Sequence, residues 1–302
     1  MNTKLNDSPG PIFVVGKHRS GTTWLARILG NHPDVPYVPD ESAFFSHVIP
    51  KFGPIRGLED YAIFAESFSA SRFFERSGLP GGFFYRRGIC SLPTVFRRMM
   101  EAVADMQGTT TWVEKTPDHT MCMRRILRCC PNARFVAIER NLLDVVRSTL
   151  QQFANKGQLS SVTHRKLFIL RIAFRHRIYG VRIRAMARLQ DRCHRVSYER
   201  LRNDPGETVR AICRFLGLNY CAEMVDTGGA NTSFSSRRQR RQCLRAGEAE
   251  FVRLIQAALK LIPWPVLNAV DHGYDLLWRR HHPRLPITFF EPVRRRLAEP
   301  QE

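Results

Sequence analysis

The residues "PIFVVG" at 11–16 form a β-branched and aromatic run that ends in glycine, and they read as a buried strand. "GTTWLARILGNH" comes next, with apolar Trp24, Leu25, Ile28 and Leu29 on one side of a predicted helix. A short extended piece, "VPYVPDES", is expected at 35–42. The alternation then resumes further along. "TTTWVEK" at 109–115 predicts a second strand, "MRRILRCCP" a helix, "ARFVAIER" at 133–140 a third strand, and "NLLDVVRSTLQQF" the helix after it. A long amphipathic helix is expected over 163–192, with its apolar stripe on Leu167, Leu170, Phe174, Ile178, Val181 and Ala185. Eight arginines share that span, mainly on other faces. "HRVSYERL" reads as a strand edge and "PGETVRAICRFLGL" as a helix beginning near Pro205. Strands alternating with helices predict an α/β fold. We expect three layers, with a mostly parallel central sheet, right-handed crossovers and flanking helices.

Residues 43–110 interrupt this rhythm. They are rich in glycine, proline and phenylalanine, including Phe44, Phe45, Phe52, Phe64, Phe68, Phe73, Phe74, Phe83 and Phe84. Helices and loops over the sheet are expected there. One domain over 8–280 is expected, followed at 281–302 by a basic, proline-rich tail that is loosely packed at its end.

Composition narrows the classes. With 302 residues and 43% hydrophobic content, the chain can fill a large core. The net charge of +20, from 47 Lys+Arg and 27 Asp+Glu, favours anionic partners. Only seven of those 47 are lysine, and a general arginine bias reflects codon usage as much as function, so charge alone assigns no partner. The eight cysteines show no CxxC pair and no zinc-like Cys/His spacing. They read as reduced thiols of a cytoplasmic protein, and no metal is expected. "MNTKLNDSPGP" lacks an apolar signal segment. The longest apolar stretch, "FVRLIQAALKLIPWPVLNAV", is broken by Arg253, Lys260, Pro263 and Pro265, so no membrane span is expected.

The chemistry concentrates in "VVGKHRSGTTW" at 14–24. A glycine-bearing loop between a strand and a helix points backbone N–H groups at an anion, and the helix dipole adds attraction. Lys17, His18, Arg19, Ser20, Gly21, Thr22, Thr23 and Trp24 make up the candidate binding loop, with Arg19 offering a fixed fork of donors. A Walker A loop would carry lysine directly after the second glycine, where this chain has Thr22.

"GKHRSGTTWL" resembles the 5′-phosphosulfate loop of sulfotransferases that use 3′-phosphoadenosine 5′-phosphosulfate (PAPS). Three further segments match in order. "RNLLDVVRS" is similar to the family's 3′-phosphate site and carries it onto Arg140 and Ser148. "WVEKTPDH" resembles the Glu-Lys-Thr/Ser-Pro segment, which implies that Lys115 touches the transferring sulfuryl group while Glu114 orients neighbours. "PDESAFF" resembles the segment that carries the catalytic glutamate, at Glu41 here, with Asp40 and His119 as competing candidates for the base or acceptor site. "VSYERLRNDPGETVRAICRFLGL" is similar to the family's late strand and helix, and "NTSFSSRRQRRQ" occupies the place of its final cofactor loop.

The resemblance implies sulfuryl transfer without a metal, from PAPS to a hydroxyl or amine of a small-molecule, glycan or lipid acceptor, with 43–110 as the acceptor-binding insertion. Two rivals stand beside it. A P-loop kinase or NTPase would need the missing lysine. A nucleic-acid binder would use the positive charge, yet no helix-turn-helix, zinc-finger or base-stacking motif supports one, and no nucleic acid is expected. The basic C-terminal region could rest on an anionic membrane. Oligomeric state stays open.

Overall fold

The run at 12–16 becomes β1 (Ile12–Gly16), which is buried along its whole length because helices cover both of its faces. A computed structural model describes residues 10–85, 90–154, 161–226 and 244–281. In it β1 lies between β2 (Val113–Lys115) and β3 (Arg134–Glu139), and β4 (Cys193–Ser197) extends the sheet beyond β3. All the pairings are parallel, as expected. Val14 stands opposite both Lys115 and Val136, so the strand ends that carry Gly16, Lys115 and Glu139 gather at one edge. The chain leaves β1 towards one side of the sheet and β3 towards the other. The crevice between these two strand ends is a switch point, where open α/β sheets take ligands.

Side-chain alternation along β1 sorts the core into two layers. Ile12 and Val14 face α1 (Thr22–Gly30) and α10 (Pro205–Leu216). Phe13 and Val15 face the 43–110 region. That region folds as a π-helical turn at Phe44–Val48, then α2 (Ile49–Phe52), α3 (Leu58–Ser69), α4 (Arg72–Ser77) and α5 (Leu92–Asp105). Its phenylalanines pack with one another and with the sheet, as in the ring contacts of Phe44 with Phe68 at 5.4 Å and Phe45 with Phe96 at 5.0 Å. They are core, so their number says nothing about an aromatic acceptor.

The second half adds a 3₁₀ turn at Pro117–Met121, α6 (Met123–Cys129), α7 (Leu142–Ala154), α8 (Val162–Met186) and α9 (Tyr198–Asn203). After α10 come α11 (Glu248–Leu261) and α12 (Trp264–His281). α7, α8, α11 and α12 share a third apolar cluster that includes Val145, Ile172, Val252 and Leu267.

Three expectations change. The second strand has three residues rather than seven: the Thr109 N–H turns back to the Ala104 carbonyl at 3.0 Å, and the Thr109 and Thr111 hydroxyls bond backbone carbonyls of Ala104, Thr111 and Gly10. The extended piece at 35–42 contributes only a bridge from Tyr37 to Val113, since flanking Pro36 and Pro39 have no N–H to donate. The long helix stops at Met186, and its phase differs in part: Ile178 of the expected stripe is buried, but with Ile169, Ile172, Tyr179 and Ile183, whereas Leu167 and Leu170 face out. Periodicity set the helix but not its rotation, because Arg165 and Tyr179 find polar partners inside. The tail after 281 and the loop at 231–241 lie outside the described residues.

Arg165 on α8 and Glu248 on α11 form a buried two-pronged ion pair, with Nε–Oε1 at 2.5 Å and Nη2–Oε2 at 3.0 Å. Removing one partner strands a buried charge, so Glu248→Ala should cost about 3–5 kcal/mol in urea unfolding. The double variant Arg165→Met/Glu248→Leu should recover most of that loss.

Candidate active site

The loop after β1 is held open by residues with positive φ. Gly16 has φ 153°, and a Cβ there would stand 2.4 Å from the Ile138 carbonyl oxygen. Gly21 has φ 98°, and its Cβ would meet the Tyr198 ring at 2.6 Å. Arg19, with φ 70°, takes the left-handed region without being glycine, a strained choice. The Thr120 hydroxyl accepts from the Gly16 N–H at 2.9 Å, and the Lys17 carbonyl accepts from the Ser20 N–H at 3.0 Å. α1 starts with Gly21 at its cap, a residue with no side chain to bond its first amides. Those N–H groups are the ones a helix offers to an anion. Ser20 is 1% exposed, and among the described residues its hydroxyl meets no hydrogen-bond partner. A buried orphan hydroxyl at a helix N-terminus fits a bound oxyanion.

Arg19 sends its side chain sideways. Its Nε donates to the Ser148 hydroxyl at 2.9 Å, while Arg140 donates to the Arg19 carbonyl at 3.0 Å. The Arg140 guanidinium lies over the Tyr198 ring, 4.1 Å from its centre. The sequence reading placed Arg19 at one end of the nucleotide and Arg140 with Ser148 at the other; all three form one cluster at the β1–β3 crevice. Burial, then Arg140 beside it, lowers the Arg19 pKa, so the pocket favours an anion that relieves both effects. Tyr198 supports the loop from below and also packs edge-on against Trp24, which is buried in the core.

On the other side of β1, Lys115 Nζ and Glu41 Oε1 stand 2.6 Å apart. Lys115 ends β2 and is buried, whereas Glu41 keeps 24% of its side chain exposed. Glu41 is fixed by what surrounds it. Asp40 accepts from the Glu41 N–H at 2.8 Å and is flanked by Arg72 and Arg76, each 3.4 Å away. Those partners make Asp40 a strut. Glu114 is fully enclosed and accepts from Ser42 Oγ at 2.7 Å and Thr116 Oγ1 at 2.6 Å, and pairs with His119 Nδ1 at 2.8 Å. Burial alone would raise its pKa, but His119 and the two hydroxyls bring it below the usual carboxylate range.

His119 corrects an expectation. It is 0% exposed, and its Nε2 accepts from the Phe45 N–H at 3.1 Å while Nδ1 faces Glu114. With both nitrogens engaged in the core, it has none left to take a proton from an acceptor.

Lys17 and His18 turn to a different partner. His18 Nε2 lies 3.3 Å from Asp118, which also accepts from the Tyr179 hydroxyl of α8. Burial would raise the Asp118 carboxyl, yet His18 and Tyr179 hold it well below its usual range. Lys17 sits 5.4 Å from the Tyr179 ring centre. His47, in the π-helical turn, shares the field of Asp118, His18 and Glu41, and burial lowers its pKa. Four elements thus meet beside the Glu41–Lys115 pair.

A model of the sulfotransferase family matches residues 11–222 of this chain. The chain belongs to the sulfotransferase family. A curated relative, an uncharacterized protein of Aquifex aeolicus (strain VF5), is 28% identical over 220 residues, which is 70% of this chain and 26% of that protein. The chain therefore spans about a quarter of that relative's length. Among solved structures, the sulfotransferase domain from the curacin biosynthetic pathway is similar at TM-score 0.50 and 17% identity, covering 85% of this chain and 92% of that one. Mouse sulfotransferase SULT7A1, solved in complex with PAP, is similar at TM-score 0.43 and 13% identity, covering 94% of this chain and 87% of that one.

Within this family member, sequence reasoning missed Asp118, Tyr179, His47 and Tyr198. Only the last left a signal, as an aromatic residue at the end of a predicted strand. Lys17 yields a pH test. Burial, with Arg175 and Arg171 nearby, pushes its amine down to about 8 from 10.5, against the pull of Asp118. Below pH 8 the amine is charged in both folded and unfolded chains, so the full penalty is present. Between pH 8 and 10.5 the unfolded chain binds more protons, and the penalty fades as pH rises. Urea unfolding should show the stability gap between Lys17→Met and wild type shifting in favour of wild type across that window.

Proposed function

We propose that this chain transfers a sulfuryl group from PAPS to a hydroxyl or amine of an acceptor. The observation that carries the reading is the adjacency of two anion sites at one switch point. One is the uncapped α1 N-terminus with the orphan Ser20 hydroxyl, and the other is the Arg19–Ser148–Arg140 cluster. A nucleotide with phosphoryl groups at both its 5′ and 3′ positions suits such a pair. Ser20, Gly21, Thr22 and Thr23 would hold the 5′ end, and Arg140 and Ser148, with Arg19, the 3′ phosphate. When bound, the donor supplies the sulfuryl group and departs as adenosine 3′,5′-bisphosphate.

The reactive pair does the rest. Glu41 takes the acceptor's proton on its carboxylate; it is the acid at this end that is both exposed to an incoming molecule and free of a structural role. That proton neutralises Glu41 and releases Lys115 from full pairing. The lysine charge then stabilises the negative charge that builds on the transferring oxygens. The buried setting strengthens this effect, because few waters compete. Thr22, standing where a Walker lysine would be, weighs against a kinase.

Calorimetry with adenosine 3′,5′-bisphosphate and with adenosine 5′-monophosphate tests the reading. Wild type should bind the bisphosphate more tightly. Arg140→Ala should weaken the bisphosphate by roughly 1.5–3 kcal/mol and the monophosphate by clearly less, since Arg140 reaches the 5′ loop through the Arg19 carbonyl. No heat from either ligand with folded protein would refute the assignment. With labelled PAPS and a panel of acceptors, Lys115→Ala should lower kcat by about 10²–10³-fold.

A further inference from the structure

The C-terminal helix layer leaves an apolar surface uncovered. On α11, Leu254, Ala257, Ala258 and Leu261 recur at helical spacing along one face, while Val252 and Leu259 bury the opposite face. Leu261 is 85% exposed and Leu254 64%, both far beyond what a core-facing position tolerates. α12 repeats the design, with Val266 and Val270 outward and Leu267 inward. Lys166 stands over the Phe251 ring at 5.7 Å, and Arg177 donates to the Leu259 carbonyl at 3.3 Å, so α8 and α11 run side by side in the same direction. Exposed Leu167 and Leu170 of α8 lie level with the first half of α11 along its axis.

We propose that this face docks the protein on an anionic lipid bilayer. Its exposed charges are Lys166, Arg171, Arg253 and Lys260, with Glu250 as the acid at the start of α11. Arg253 and Lys260 are seven residues apart and share one flank, where their stems can lie along apolar surface with the charges at the headgroups. The chain's net charge of +20 opposes a second copy, since two such bodies repel, and attracts a negative surface. No helix among the described residues is long and apolar enough to cross a membrane, so the contact is one of lying on the bilayer. The inference is independent of the proposed reaction.

Flotation of the full chain with two vesicle types tests it: phosphatidylcholine alone, and phosphatidylcholine with one-third phosphatidylglycerol. The protein should float with the anionic vesicles at least about tenfold better than with the neutral ones. Leu254→Glu/Leu261→Glu should lose that binding while keeping the wild-type melting temperature, and Arg253→Gln/Lys260→Gln should weaken it severalfold. No flotation, or flotation indifferent to both variants, would overturn the proposal. So would light scattering that shows a dimer which Leu254→Glu/Leu261→Glu dissociates, because the face would then belong to a second copy.

Discussion

Glu114 is a carboxylate sealed from water, and such a charge persists only where its lone pairs are met by donors. Its donors come from two directions. Thr116 and His119 follow it in the chain, while the Ser42 hydroxyl and amide arrive from the segment that crosses the sheet edge. This one group therefore ties residues 42–45 to the end of β2. Glu41 precedes that anchor by one residue and Lys115 follows Glu114 by one, so satisfying Glu114 also fixes the separation of the reactive pair. A structural carboxylate positions the proposed base, and His119 belongs to the anchor.

The same region stores strain. Ala43, with φ 49°, joins Arg19 as the second non-glycine residue with positive φ among those described. Each such residue costs about 1–3 kcal/mol and persists only when its neighbours over-determine it. Ala43 is held by its N–H to Thr116 Oγ1 at 3.1 Å and by its carbonyl, which accepts from His47 at 2.8 Å. Arg19 is held by Ser148 and Arg140. Both strained residues flank the candidate site, one at the nucleotide loop and one beside the proposed base. The π-helical turn that starts after Ala43 also brings His47 into the field of Asp118.

Legibility in the sequence followed the range of the interactions. The strand–loop–helix at 12–30 is a local pattern, and Arg140 and Ser148 fall in one short segment, 140–148, whose resemblance to the family's 3′-phosphate site pointed to them. The rotation of α8 was not legible. It depends on Arg165 meeting Glu248 and Tyr179 meeting Asp118, partners distant in the chain. The burial of His119 was hidden for the same reason, since Phe45 and Glu114 reach it only once the 43–110 region has packed. The phenylalanines of that region could be counted, but whether they line a pocket or fill a core is decided by tertiary contacts.

Charge divides the site into two unlike halves. At the nucleotide end Arg19 and Arg140 stand together among uncapped amides, and Arg140 adds to the burial that destabilises the Arg19 charge. At the other end each charge beside the proposed acceptor position has a partner: Lys115 has Glu41, and Asp118 has His18 and Tyr179. A field of this shape suits the proposed anionic nucleotide in the crevice and offers little net attraction to a second anion beside it. On the proposed reading, the donor is selected by charge and the acceptor by its fit to Glu41. Proton transfer to Glu41 in the proposed reaction would break the neutrality at the moment when Lys115 has new negative charge to stabilise.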